Sequence, residues 1–194
     1  MTRLRGNTSK NFPKKPFAVK FDSKTSVLGM PKHKRWVLLA NWKDKSLMRN
    51  HIALGVARKF SEEMPDGIPW NVRGQFVELV YNGVHVGNYY LCEQVKIDGN
   101  RLDINDPYDA EDAYSGNPAD YGYLLEADDG YDETWKFTTA CYVPFLFKDD
   151  GNNDMLSYAS NFVRGIEDNL YKNTTAGYEA EFEKMDLTSF VDFW

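Results

Sequence analysis

The sequence predicts an α+β fold: a mostly antiparallel sheet with one early helix, followed by the start of a helical region. The order of patterns carries this reading, because strand-like segments come first, one helical stripe interrupts them, and helical periodicity returns after about residue 150. The pair Asn82-Gly83 between two strand-like runs adds a tight hairpin, and a hairpin makes its strands antiparallel.

Residues 2–5 read as a short strand leading into the turn Gly6-Asn7-Thr8-Ser9. Pro13 and Pro16 bracket Lys14-Lys15 and keep that segment extended. Phe17, Val19 and Phe21 alternate with Ala18 and Lys20, the period of a half-buried strand. Gly29-Met30-Pro31 reads as a turn, and Trp36 to Ala40 as a strand that is apolar on both faces. Asp44 and Ser46 are candidate helix caps, with Leu47, Ile52, Ala53, Val56, Ala57 and Phe60 forming the apolar stripe behind them. Pro65-Asp66-Gly67 ends that helix. The hairpin pairs 76–81 with 84–93, and Gly87 inside its second strand predicts a bulge or a close approach.

Residues 98–120, rich in Asp, Asn, Pro and Gly, predict an exposed insertion. Strands follow at 121–127, 135–139 and 142–147, then a turn at 149–153. A helix from about Asp154 to Tyr171 has Leu156, Phe162, Ile166 and Leu170 as core candidates, and a last helix begins near Asp186 to Ser189. We expect one incomplete domain over residues 1–194, strand-rich to about residue 150 with a helical part beginning over 151–194. That expectation comes from the ends: the first residues read as the end of a strand, and SFVDFW stops inside an apolar helical pattern.

Composition narrows the function. An apolar share of 42% with 15% aromatics suits a folded chain of this length, 194 residues. The net charge of −6 is uneven. Residues 1–35 hold ten Lys and Arg against one acid, Asp22, while the acids concentrate after Asp98. A basic end on an acidic protein points to a local anionic ligand such as phosphate groups more than to a nucleic-acid surface. Cys92 and Cys141 each sit among apolar neighbours and read as two buried thiols rather than a disulfide. No apolar run approaches the roughly 20 residues of a membrane span, and the first residues lack a secretory apolar core. The three histidines show no metal-ligand spacing, no G-x-S-x-G elbow occurs, and neither Asp128-Asp129-Gly130 nor Asp149-Asp150-Gly151 fits a calcium loop.

The candidate site residues each have a plain alternative. Arg5-Gly6-Asn7-Thr8-Ser9 offers backbone and hydroxyl donors to phosphate oxygens, but most turns of this composition are only turns. Lys20, in the middle of F-A-V-K-F, has the placement of a phosphate-pairing lysine, or is the outward residue of an amphipathic strand. Lys14 and Lys15 read as solvated or substrate-facing. Arg49, next to Asn50 at the start of the first helix, can reach a carboxylate or a phosphate in bidentate fashion. Glu93 is an acid in an otherwise apolar strand and needs a partner if buried, with Arg49 or Lys20 as natural candidates. Glu126 poses the same question.

RGNTSKNFPKKPFAVKFD, VLGMPKHKRWVLLANWKDKSLMRNHIA and VELVYNGVHVGNYYLCEQVK, in this order, resemble the spore-coat CotH kinase family, and YGYLLEAD and MDLTSFVDFW extend the similarity over nearly the whole chain. The resemblance implies an atypical protein-kinase-like nucleotide-binding lobe, followed by the first helix of the helical lobe. It also implies binding of ATP with a divalent metal such as magnesium, and phosphate transfer to Ser or Thr of a protein substrate, in a bacterial envelope or spore-coat setting. Residue by residue, it implies that Arg5, Gly6, Asn7, Thr8 and Ser9 form the phosphate turn and that Lys20 contacts the phosphates. Arg49 and Asn50 would sit on the regulatory-type helix, and Glu93 near the strand end that leads to the adenine pocket. Lys10 departs from the aromatic residue common in the family. The family's catalytic and metal-binding Asp and Asn residues lie beyond SFVDFW, so we expect no catalytic residue and little kinase activity in these 194 residues alone. A non-catalytic surface, adhesion or coat-assembly module that keeps the fold is the alternative.

Overall fold

The computed structural model describes residues 1–106, 114–129 and 133–194. Part of the expected insertion, residues 107–113, and Gly130 of the first acidic turn lie outside the described residues. The chain divides into two compact units, one of residues 1–95 with 192–194, the other of residues 96–191.

The first unit is a five-stranded antiparallel sheet with one helix. Its strands are β1 (Thr2–Leu4), β2 (Phe17–Val27), β3 (Met30–Leu39), β4 (Gly74–Tyr81) and β5 (Val84–Glu93), and helix α1 (Arg49–Glu63) lies between β3 and β4 in the chain. The strand order is β1-β2-β3-β5-β4. Turn chemistry sets both long hairpins. Asn82 and Gly83 adopt φ of 50° and 79°, as a type I′ turn needs, and Gly87 lies where the β4–β5 register slips by one residue, the predicted bulge. The β2–β3 turn is Leu28-Gly29 (φ 49° and 78°) rather than Gly29-Met30-Pro31, and β2 runs on to Val27. Residues 22–26 are exposed, so no apolar period marks them as strand in the sequence.

Register sorts the side chains of this sheet onto two faces. Phe17 pairs with Leu38, Val19 with Trp36, and Trp36 in turn with Glu93, which places these residues together on one face. Leu38, Ala40 and Tyr89 form its core, flanked by Phe17, Val19, Val77, Leu79 and Leu91. Ala18, Lys20, Arg35, Val37, Leu39, Tyr90 and Cys92 share the other face. There Val37, Tyr90 and Cys92 pack against Leu54 of α1, and the His51 ring sits 5.1 Å from Phe76 and 5.6 Å from Tyr90. Each apolar side chain fully buried in these rows contributes about 1.5–3 kcal/mol.

The seat of α1 corrects the expected stripe. Ile52, Val56 and Phe60 are exposed, and the helix packs through Leu54 instead. The start of the helix is fixed from outside it: the Asp44 carboxylate accepts hydrogen bonds from Ser46 and from the Arg49 backbone N–H (2.8 Å). These bonds, the one from Ser46 first, hold the Asp44 carboxyl below its ordinary pKa. At the far end of α1, Asp192 Oδ2 accepts from Ser61 Oγ (2.6 Å) and from the Ile68 backbone N–H (2.8 Å). Asn71 Nδ2 donates to the same Ser61 hydroxyl.

In the second unit, β8 (Pro144–Phe147) lies between β6 (Leu125–Ala127) and β7 (Lys136–Thr138), and helices α2 (Asn153–Tyr171), α3 (Thr175–Phe182) and α4 (Leu187–Phe193) follow, the residues of α4 from Asp192 on belonging to the first unit. Asn152 caps α2 by accepting from the Met155 N–H (2.9 Å). The core is Phe147, Met155 and Ala159 with Leu156 beside them; Phe162 and Leu170, expected inside, are exposed. Helix α3 has no counterpart in the sequence reading, although Thr174 caps it through the Gly177 N–H. Its Glu181 is 1% exposed and takes hydrogen bonds from Asn169 and Lys184. Cys141 is also corrected. It is an exposed thiol in a turn before Tyr142 (φ 64°), whereas Cys92 is a buried thiol outside any disulfide, as expected. No helix among the described residues is long and apolar enough to cross a membrane.

Candidate functional site

The loop between β1 and β2 holds Arg5 to Ser9, the turn expected to take phosphate. Its base is closed by a hydrogen bond from the Arg5 N–H to the Pro16 carbonyl, and one helical turn over Ser9–Asn11 folds its middle. Gly6 adopts φ of 84°, and a Cβ there would lie 2.0 Å from Ser9 Oγ, so the tight approach requires glycine. Arg5, Gly6, Asn7 and Thr8 are exposed and Ser9 is half-buried. The polar side chains of Asn7 and Thr8 have no hydrogen-bond partner among the described residues.

Lys20 lies three residues further along β2, about 10 Å from the strand's first residue. It is directly opposite Arg35 on β3, and Arg3 on β1 is opposite Ala18, so Arg3, Lys20 and Arg35 share the face that carries α1. All three line one cavity of about 210 Å³, which Gln94 and Ala18 also border. In the sequence, Arg3 and Arg35 stand out only as part of a basic end. Cross-strand register is the signal that gathers them, and it depends on the true position of the β2–β3 turn.

Glu93 is 2% exposed, and its partner is Arg73. The Arg73 guanidinium donates from Nε (3.1 Å) and Nη2 (3.0 Å), and the Arg73 backbone N–H donates to the same carboxylate (2.8 Å). Burial pushes the Arg73 guanidinium below its ordinary pKa. Neither expected partner is engaged, for geometric reasons. Glu93 sits opposite Trp36 and Lys20 opposite the neighbouring Arg35, so pleating turns Glu93 and Lys20 to opposite faces. Arg49 is at the start of α1, its side chain 86% exposed and 3.7 Å from Asp44. Asn50 donates to Asn41 Oδ1. The fold therefore brings Lys20 together with Arg3 and Arg35, and keeps Arg49 and Glu93 apart from them.

Two further lysines differ from expectation or complete it. Lys14 is not free in solvent: it lies over the Tyr89 ring (4.7 Å), and its ammonium donates to the Asn88 carbonyl. Burial lowers its pKa, with Glu78 opposing. Lys15 donates to the Lys10 carbonyl. Glu126 pairs with Lys148 at a half-exposed position.

A family model described as CotH kinase protein matches residues 2–194. The chain belongs to the CotH kinase family. Its domain is thus kinase-like, and the α+β architecture with an early helix against an antiparallel sheet is the fold this member uses. No curated protein matches the chain. ATP, the nucleotide that a kinase-like family suggests, fits the cavity on charge, because cations without a carboxylate partner line it. Magnesium finds no such fit: among the described residues no three His, Cys, Asp or Glu side chains converge.

Proposed function

We propose that the α1-bearing face of the first unit is the ATP-binding surface of a CotH-type protein kinase, which transfers phosphate to Ser or Thr of a protein substrate. The observation that carries this reading is the position of Lys20. It is an exposed ammonium with no partner among the described residues, on a strand that lines a cavity, in a member of a kinase-like family. Lys20 supplies the positive charge that nucleotide phosphates need. The Arg5–Ser9 loop adds donors from a backbone that Gly6 lets fold tightly. Arg49 and Glu93, held by Asp44 and Arg73, keep the helix and the sheet in place around the site. A divalent metal belongs to the same reaction, and no residue of this chain is assigned to it.

Thermal unfolding with and without ATP, each with and without magnesium, tests the reading. ATP at a hundred times its dissociation constant adds about 2.7 kcal/mol of apparent stability and raises the midpoint. Lys20→Ala is expected to abolish that rise while melting like the parent without ligand. A wild-type chain that ATP does not stabilise under any of these conditions would leave the fold serving a non-catalytic surface role.

A further inference from the structure

We propose that Arg3 and Arg35 join Lys20 in one anion seat, and that this seat takes a chain of linked phosphates in preference to a single phosphate group. The inference rests on the nucleotide reading and deepens it by naming the part of the nucleotide that is selected and the residues that select it.

Three neighbouring strands each contribute one cation to the same face. Lys20 and Arg35 are directly opposed on the β2–β3 ladder, and Arg3, opposite Ala18, lies diagonally from Lys20. Like charges directly opposed on an antiparallel pair disfavour the pairing, and an acid at the next position across the sheet would relieve this. Here that position is Gln94, a neutral amide, at the border of the same cavity. Glu93 beside it faces the other way and is held by Arg73. Asp22, further along β2, makes no ion pair with any of the three. Arg3, Lys20 and Arg35 therefore have no carboxylate partner among the described residues, and an anion from solution is what completes the cluster.

Spacing chooses the kind of anion. Strands lie about 4.8 Å apart, so cations on three consecutive strands spread over about 10 Å. A single phosphate engages one or two of them, whereas two or three linked phosphates can engage all three. The two arginines supply planar forks that grip phosphate oxygens in bidentate fashion, and Lys20 adds a point charge between them. Arg3 and Lys20 are exposed and Arg35 is half-buried, so the seat is open to solvent.

Calorimetric titration of the full chain with inorganic tripolyphosphate, with orthophosphate and with ATP tests the proposal, using wild type, Arg3→Gln, Arg35→Gln, Arg35→Lys and Lys20→Ala. Tripolyphosphate is expected to bind at least about tenfold more tightly than orthophosphate, and each Gln variant to lose about tenfold, the scale of one charge-assisted hydrogen bond. Arg35→Lys is expected to keep part of that affinity, which a merely structural role for Arg35 would not require. Orthophosphate binding as tightly as tripolyphosphate, no tripolyphosphate binding, or Gln variants that titrate like wild type would each overturn the proposal. If ATP binding is lost in Lys20→Ala but unchanged in both Gln variants, the nucleotide reading stands and this inference falls. If the three cations bind tripolyphosphate and ATP does not bind, the seat stands and the nucleotide reading falls.

Discussion

Glu93 and Glu181 are both almost fully buried, one in each compact unit, and they are secured in different ways. Glu93 is gripped by the guanidinium of Arg73, the residue before β4, which uses two nitrogens, with the backbone N–H of the same residue as a third donor. Glu181 takes an amide from Asn169 at the end of α2 and an ammonium from Lys184, three residues further along its own segment. Its Oε2 has no partner among the described residues. A buried carboxylate costs several kcal/mol unless rigid donors offset it. The comparison shows one site where a planar, bidentate partner does so and another where local, half-exposed donors do so incompletely.

The largest expected effect therefore belongs to the first pair. Glu93→Ala leaves Arg73 without its partner and is expected to lower the unfolding free energy by about 3–5 kcal/mol, read from urea denaturation. A loss below about 1 kcal/mol would show that the strand pairing, not the ion pair, holds β4 to β5 at this end.

Glu181 is expected to matter less than Glu93 and to show itself in the pH dependence of stability. Hydrogen bonding from Asn169, then from Lys184, holds its carboxyl below the ordinary value of 4.5. The sign follows from linkage: a depressed folded-state pKa gives stability that is fully present above the unfolded value and is lost as pH falls through the folded one. Glu181→Gln should thus lower stability at pH 7, where the carboxylate's contribution is fully present, and flatten the profile below about pH 4.5, where the wild type loses that contribution itself. An unchanged acid limb would remove Glu181 from that role.

The two glutamates also differ in how readable they were. Glu93 stands out in the sequence because Tyr89, Tyr90, Leu91 and Cys92 precede it, and a period of two makes an intruding acid visible. Its partner was not readable, because parity in a sheet depends on the register of three strands, and the β2–β3 turn was placed one residue late. Glu181 went unnoticed because α3 itself did: an eight-residue helix with Gly177 in its first turn has too few residues to show a stripe. The same limit explains α1. Its cap at Asp44 was legible from residue type, but Ile52, Val56 and Phe60 make as good a stripe as the one the sheet uses, and only packing chose between them. For the candidate site, the loop glycine and the strand lysine were legible, while the arginines around Lys20 were hidden by the same register.

The smallest effect is expected at Asp44. Asp44→Ala removes the acceptor for the Arg49 N–H and for Ser46 without touching the sheet. Hydrogen exchange should quicken at the first turn of α1 and stay unchanged in β3 and β5. Faster exchange in β3 as well would mean that the helix start and the sheet open together.

The Asp192 contacts impose an order on how the first unit can close. Ser61 and the carboxylate it meets are 131 residues apart in the chain. At about 5–20 residues per second, a ribosome needs roughly 7–26 seconds to bridge that gap. From the completion of β5 at Glu93 onward the five strands exist as nascent chain, yet Ser61 and the Ile68 amide still lack the Asp192 carboxylate. That corner of the first unit cannot seal until Asp192 has been made, and until then the Ile68 amide is water's to satisfy.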